Sequence, residues 1–245
     1  MPEAKLRINR YDPAIDGPLS GGRRTGRYDE FTIPYEKSLT VLEALFAVQE
    51  GFDETPSFRY CCRSSICGSC AMYINGHYRL ACQTNARTIE GTITIEPLPH
   101  MPLVKDLVCD MDAFFAKYEL IKPWLIRNSK APEKEIHQSP AWRSKLDMPI
   151  DCILCGCCYS SCPSVWYDED YLGPAALLKT YRFEVDSRDE ARRERLPYFD
   201  NERGTYRCHT ITNCVEACPK ELNPTEGIQW LKRAAVRRRL LGRWK

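Results

Sequence analysis

The sequence predicts an α+β chain in two parts: a small domain of strands and one helix over residues 1–104, then a mostly helical domain over residues 105–245. Three observations predict it. Short runs that alternate apolar and polar residues, as half-buried strands do, fill the first hundred positions. From Asp106 onward helical periodicity replaces that alternation. The cysteines form one group in the first part and two near-identical runs in the second.

Along the first part, Lys5–Arg10 alternates as a strand with one buried face. Asp16–Gly26 is rich in Gly, Pro and Ser and reads as a loop. A second strand is expected at Arg27–Ile33. Ser38 or Thr40 could cap a helix over Leu39–Gln49 that turns Val41, Leu42, Leu45 and Phe46 to one side. A cysteine-rich loop runs from Cys61 to Cys70. Ala71–Ile74 and His77–Leu80 follow as two short strands joined by Asn75-Gly76, the strongest short hairpin signal. Thr92–Ile95 closes the set, and the domain ends near Leu103. The second part predicts helices at Asp106–Tyr118, Pro174–Tyr181, Ser187–Leu196 and Thr225–Leu241. Pro123–Pro140, polar and punctuated by proline, reads as a long surface excursion.

Composition narrows the classes. The chain has 245 residues, 43% hydrophobic and 28% charged, with a net charge of +2 that favours no partner. Nucleic-acid binding has only charge behind it and no recognition motif. No stretch is apolar for long enough to span a bilayer, and Met1–Arg10 lacks the apolar core of a signal peptide. A reducing compartment is therefore expected, where fourteen cysteines serve as metal ligands and not as disulfides.

The two runs of the second part carry the chemistry. Cys152, Cys155, Cys158, Cys162 and Pro163 have the C-x2-C-x2-C-x3-C-P spacing of two-cluster bacterial ferredoxins. The second run has the same spacing through Cys208, Ile211, Cys214, Cys218 and Pro219, with Ile211 where a thiolate belongs. In such pairs the fourth cysteine serves the other run's cluster. Cys152, Cys155, Cys158 and Cys218 can thus hold a [4Fe–4S] cluster, and Cys162, Cys208 and Cys214 a [3Fe–4S] cluster. The alternatives are an empty site or a four-iron cluster with a non-cysteine ligand such as His209. In the first part, Cys62, Cys67, Cys70 and Cys82 have the plant-type C-x4-C-x2-C spacing of a [2Fe–2S] cluster. Cys61 could replace Cys62 at x5 spacing; as a non-ligand it would be a packing thiol. Four, four and three ligands leave Cys61, Cys109 and Cys157 of the fourteen, with Cys109 expected in a helical core. Structural zinc is the duller reading, but zinc ribbons use paired C-x2-C units, and seven cysteines divide poorly into sites of four.

Three clusters imply one-electron transport. No dinucleotide fingerprint, phosphate loop or acid/base constellation is present, so substrate chemistry needs a partner.

These motifs resemble the iron–sulfur subunits of succinate dehydrogenase and fumarate reductase, respiratory complex II. The resemblance covers nearly the whole chain, through Phe58–Cys70, Cys152–Trp166, Leu172–Ala175 and Cys208–Pro224. It implies an N-terminal plant-type ferredoxin (β-grasp) domain followed by an α-helical, bacterial-ferredoxin-like two-cluster domain. It further implies a flavoprotein partner whose covalent FAD interconverts succinate and fumarate in the tricarboxylic acid cycle and respiration. Electrons would pass from that FAD through [2Fe–2S], [4Fe–4S] and [3Fe–4S] to quinone at a membrane anchor, often with haem b. The chain would lie peripherally on the cytoplasmic face of the cell membrane, or the matrix face in a mitochondrion. Pro163, Ser164, Trp166, Tyr167, His209 and Ile211 match positions between the third cluster and quinone, with Tyr167 in place of the family's second tryptophan. Arg63-Ser64-Ser65 departs from the family's usual Arg-Glu-Gly. The same relay could serve a quinol:fumarate reductase or a soluble, thiol-linked fumarate reductase; a non-redox zinc scaffold is the distant alternative. The C-terminal stretch Trp230–Lys245 is basic and ends in tryptophan and lysine, a composition suited either to anionic head groups or to a solvated surface.

Overall fold

The computed structural model describes residues 2–17, 27–35, 38–130 and 132–241. The chain divides into two compact units, residues 1–111 with 153–160, and residues 112–152 with 161–245.

The first unit is a five-stranded mixed sheet. Its strands are β1 (Glu3–Arg10), β2 (Arg27–Pro34), β3 (Ala71–Ile74), β4 (His77–Leu80) and β5 (Thr92–Glu96), in the order β2-β1-β5-β3-β4. Only β1 and β5 run parallel; the other pairs are antiparallel. Alternation along β1 buries Ala4, Leu6 and Ile8 on one face. Helix α1 (Val41–Gly51) supplies Val41, Leu42, Ala44, Leu45 and Val48 to the same core as Met72, Ile74, Ile93 and Ile95. Thr40 is its N-cap: the Thr40 hydroxyl accepts the Glu43 N–H and the Glu43 carboxylate accepts the Thr40 N–H, a closed capping box. Phe46, expected on the buried face, is only half buried. Asn75 and Gly76 take φ 46° and 80°, the mirror-image turn that matches strand twist. Of the expected loop Asp16–Gly26, Asp16 ends a single helical turn from Pro13, and residues 18–26 lie outside the described residues.

The helix expected from Asp106 does not start there. Leu103–Lys105 (β6) and Val108–Cys109 (β7) pair as a small antiparallel ladder, and Asp106 sits in the turn between them at φ 45°. The helix α2 begins at Asp112 and ends at Leu120. Asp106 is 1% exposed and has a different task. Its carboxylate accepts the Tyr11 and Ser57 backbone N–H groups at 3.0 and 2.8 Å and the Arg10 Nε at 3.1 Å. Arg10, on the inward face of β1, also donates to Asp29, Asp53 and Thr55 at 2.6–2.8 Å. A buried cation with all three of its nitrogens engaged, ringed by carboxylates, fixes β1 against distant loops where an unpaired one would unfold them.

In the second unit α4 (Gly173–Glu184), introduced with α3 (Pro163–Tyr167) and α5 (Arg192–Phe199), is buried on nearly every side. The long helix α6 (Pro224–Leu241) packs on it through Ile228, Leu231 and Ala235. Gly227 makes the approach possible, since a Cβ there would lie 3.2 Å from Tyr181 Cδ1. The helix expected at Ser187–Leu196 is shifted to α5. Asp189, inside the expected span, is instead a buried acceptor for the fully buried Arg195, 2.6 Å away. Arg195 also donates to the carbonyls of Ile121, Lys122 and Trp124, which pins the otherwise irregular segment after α2. Among the described residues no helix is long and apolar enough to cross a membrane.

Candidate metal centres

The loop after Cys62 has no regular structure, yet its backbone is closely specified. Arg63, Ser65 and Gly68 take φ 55°, 61° and 73°. Left-handed residues at short intervals turn successive N–H groups toward a common centre, the geometry that cradles anions. The centre here is sulfur. Cys62 Sγ accepts the N–H groups of Ser64, Ile66 and Cys67 at 3.4, 3.3 and 3.3 Å, and Cys67 Sγ accepts that of Cys62 at 3.5 Å. Burial pushes the Cys67 thiol up, but the Ser69 hydroxyl and the backbone N–H groups of Cys62 and Ser69 outweigh it and bring it down to about 6. Cys70 and Cys82 meet because the β3–β4 hairpin folds back, with Ala81 N–H donating to the Cys70 carbonyl at 3.0 Å. Burial pushes the Cys70 thiol up to about 12, against the backbone N–H of Cys82.

Gly68 is required twice. Its φ is left-handed, and a Cβ there would lie 2.8 Å from Cys155 Cβ and 2.9 Å from the Ile153 carbonyl oxygen. This close approach draws Ile153–Ser160 into the first unit, where Ile153 and Cys155 pack on the sheet core. Ser160 is held there by the Pro99 carbonyl and Tyr78. The guanidinium of Arg63 lies 4.7 Å from the Phe46 ring centre and 5.4 Å from that of Tyr60, which accounts for the half-burial of Phe46. Cys61 is not the packing thiol expected: it is exposed, whereas Cys62 is half buried and taken up by its three N–H donors.

In the second unit Cys162 precedes α3, Cys208 follows the turn Thr205–Arg207, and Cys214 lies in the turn Asn213–Glu216. The three line one pocket together with His209, Ile211 and Pro163. Thr210 and Thr212 take φ 60° and 71°, so this loop is also bent round its contents. Burial pushes the Cys162 thiol up against the N–H groups of Val165 and Ser164, and the Cys214 thiol up against the Thr225 hydroxyl 3.3 Å away. From α6, Lys232 Nζ donates to the Cys208 carbonyl and Gln229 Nε2 to the Thr210 hydroxyl, both at 2.6 Å. Sequence reasoning did not find these supports. Their signal is the spacing Thr225, Gln229, Lys232, a polar stripe at i, i+4, i+7 that marks one face of a helix.

Pro163, Ser164, His209 and Ile211, four of the residues the resemblance assigns beside quinone, line this same pocket. Trp166 and Tyr167 do not. Tyr167 is 85% exposed, with the Arg207 guanidinium 5.2 Å from its ring centre and that guanidinium anchored on Asp168 at 3.0 Å.

Cys155 and Cys158 belong to the first unit, Cys152 and Cys218 to the second, and all four are half buried. Leu154 and Gly156 take φ 54° and 83°. Cys157 is fully buried, and Cys109 is a core thiol, though in β7 and not in a helix.

Among the described residues, which include all fourteen cysteines, no three His, Cys, Asp or Glu side chains converge closely enough to hold one metal ion.

Two family models match the chain. One, described as a 2Fe-2S iron-sulfur cluster binding domain, matches residues 5–116, and one described as a 4Fe-4S dicluster domain matches residues 149–222. The chain is 44% identical over 239 residues to a Paracoccus denitrificans protein named succinate dehydrogenase iron-sulfur subunit, covering 97% of this chain and 92% of that one. It is 49% identical over 196 residues to a rice protein named succinate dehydrogenase [ubiquinone] iron-sulfur subunit 1, mitochondrial, covering 79% and 70%. Its fold matches a chain of the Mycobacterium smegmatis Sdh1 complex in the apo form with a TM-score of 0.84, at 24% identity and 97% coverage of both chains.

Proposed function

From the premise that the chain belongs to the family of succinate dehydrogenase iron–sulfur subunits, we propose that it carries three clusters and relays electrons between the FAD of a flavoprotein subunit and quinone at a membrane anchor. Cys62, Cys67, Cys70 and Cys82 would hold [2Fe–2S]; Cys152, Cys155, Cys158 and Cys218 would hold [4Fe–4S]; Cys162, Cys208 and Cys214 would hold [3Fe–4S]. When bound, such clusters supply one-electron transfer over potentials set by charge, hydrogen bonding and burial. The chain's own residues set those conditions. The N–H groups of Ser64, Ile66 and Cys67 stabilise sulfur charge at the first site. Lys232 and Gln229 hold the Cys208–Thr210 backbone at the last. Substrate oxidation and membrane attachment through an anchor, which often carries haem b, belong to partner subunits in this reading.

One observation carries the assignment of the last cluster. Ile211 shares a pocket with Cys162, Cys208 and Cys214, where a fourth thiolate would be needed for a fourth iron. His209 and Ile211, and beside them Tyr167, would face quinone. Iron and acid-labile sulfide analysis of the anaerobically prepared chain tests the whole reading. About nine irons per chain are expected, two, four and three, with the oxidised-state EPR signal of a three-iron cluster. Zinc at the cysteines with little iron, or about ten irons and no such signal, would overturn it.

A further inference from the structure

The outer face of α6 is not used by the cluster sites. Arg233, Val236, Arg237, Leu240 and Leu241 follow the spacing i, i+3, i+4, i+7, i+8, a single stripe opposite the buried Ile228, Leu231 and Ala235. The apolar members are bare: Val236, Leu240 and Leu241 are 46%, 77% and 66% exposed. From Ile228 to Leu241 the helix carries Lys232, Arg233, Arg237, Arg238 and Arg239 and no acidic residue, within a chain whose net charge is only +2. Arg239 is engaged by Asp200 at 3.0 Å; Arg233 and Arg237 stand exposed on the stripe itself. Between this face and Tyr206 runs an open groove of about 520 Å³, lined by Lys232, Arg233, Val236, Arg237, Leu240 and Leu241.

We propose that this face lies directly on an anionic phospholipid surface, so that the chain itself, and not only its partner subunits, contacts the bilayer. Leucine and valine tips would enter the boundary between head groups and acyl chains, while Arg233 and Arg237 reach the phosphates with their stems along the apolar surface. Charge complementarity selects the occupant. A polyanion without an apolar phase leaves Leu240 and Leu241 in water, and a neutral membrane leaves two arginines without counter-charge. The inference goes beyond the electron relay and does not rest on it.

The test is co-sedimentation of the full, cluster-loaded chain with vesicles of phosphatidylcholine alone or with about a third phosphatidylglycerol. Wild type is expected to pellet with the anionic vesicles only, and less at high salt. Arg233→Gln with Arg237→Gln should weaken partitioning about 30-fold, and Leu240→Ser with Leu241→Ser by about tenfold. Arg233→Lys with Arg237→Lys should retain it. Iron content and circular dichroism report whether each variant is folded; if one is not, the wild-type comparison of the two vesicle types still decides. Equal pelleting with both vesicles, no pelleting with either, or an Arg→Gln pair that binds like wild type overturns the proposal. So does binding to a detergent-solubilised anchor subunit with no binding to vesicles, which would make this a protein interface.

Discussion

The two cysteine loops described above hold their sulfurs by different means. The loop from Cys62 to Gly68 uses its own backbone: three N–H groups point at one sulfur, and left-handed residues at 63 and 65 help aim them. The loop from Cys208 to Cys214 borrows from outside. Side chains of α6 brace its carbonyl and hydroxyl groups, and the Thr225 hydroxyl meets Cys214. A backbone cradle tolerates exchange of the side chains on it, as Arg63-Ser64-Ser65 illustrates, but not a Cβ at its tightest turn. A side-chain cradle depends on a helix far along the chain, and here it holds one apolar residue, Ile211, among its three cysteines, the position where the proposed three-iron cluster would lack a fourth thiolate.

The largest effects test who owns each sulfur position. Cys62→Ser is expected to remove the two-iron cluster, lowering iron by about two per chain and abolishing its reduced-state EPR signal. Cys61→Ser, at an exposed thiol, should leave both unchanged. The reverse pattern would mean that the backbone donors do not mark the ligand.

Ile211→Cys adds a thiolate to the pocket of Cys162, Cys208 and Cys214. The chain should gain about one iron, lose the oxidised-state signal of the three-iron cluster, and titrate at a lower potential because negative charge has been added. Persistence of that signal would place Ile211 away from the vacant corner.

A backbone cradle predicts a glycine effect that depends on surroundings as well as on φ. Gly68→Ala meets Cys155 and Ile153 at under 3.0 Å, whereas Gly91, at φ 75°, has nothing within 4 Å of its Cβ position. Gly68→Ala should cost about 2–4 kcal/mol in denaturant unfolding, and Gly91→Ala only about 1 kcal/mol of backbone strain. Equal losses would mean that the close packing of Ile153 and Cys155 contributes nothing.

The smallest effect belongs to the exposed rim. Tyr167→Phe removes one hydroxyl, and a hydrogen bond to a neutral carbonyl contributes roughly 0.5–1.5 kcal/mol. Apparent quinone affinity should weaken about threefold to tenfold, with succinate oxidation by an upstream artificial acceptor unchanged on the same membranes. Unchanged quinone kinetics would remove Tyr167 from the site and shift attention to Trp166 and His209.

Much of this was legible in the sequence because local rules suffice for it. Asn75-Gly76 dictates its own turn, Ser38 and Thr40 mark the helix start that Thr40 caps, and the β1 alternation dictates its own buried face. The cysteine spacings give the candidate ligands, because a loop that wraps an inorganic core admits few lengths. What escaped depends on residues distant in sequence. Asp106 reads as the start of an apolar helical pattern, yet Arg10, 96 positions earlier, claims its carboxylate. The only hint was parity, since Arg10 shares the inward face of β1 with Leu6 and Ile8. Asp189 was hidden in the same way by Arg195, whose other partners lie more than 70 positions away. Lys232 was visible only as one more basic residue of a basic tail.

The first unit takes residues 1–111 and then, after an interval, Ile153–Ser160. On a ribosome this is a matter of timing. At about 5–20 residues per second, roughly 2–10 s separate synthesis of Met111 from that of Ser160. During that interval the sheet is complete but the Gly68 turn has no Cys155 to lie against. The nascent unit would wait half-closed, its apolar flank and its four candidate ligand thiols, Cys62, Cys67, Cys70 and Cys82, open to chaperones and to whatever delivers iron. A fragment cut at Met111 would carry that state permanently, which makes this N-terminal unit a poor candidate for transplantation as a free-standing module.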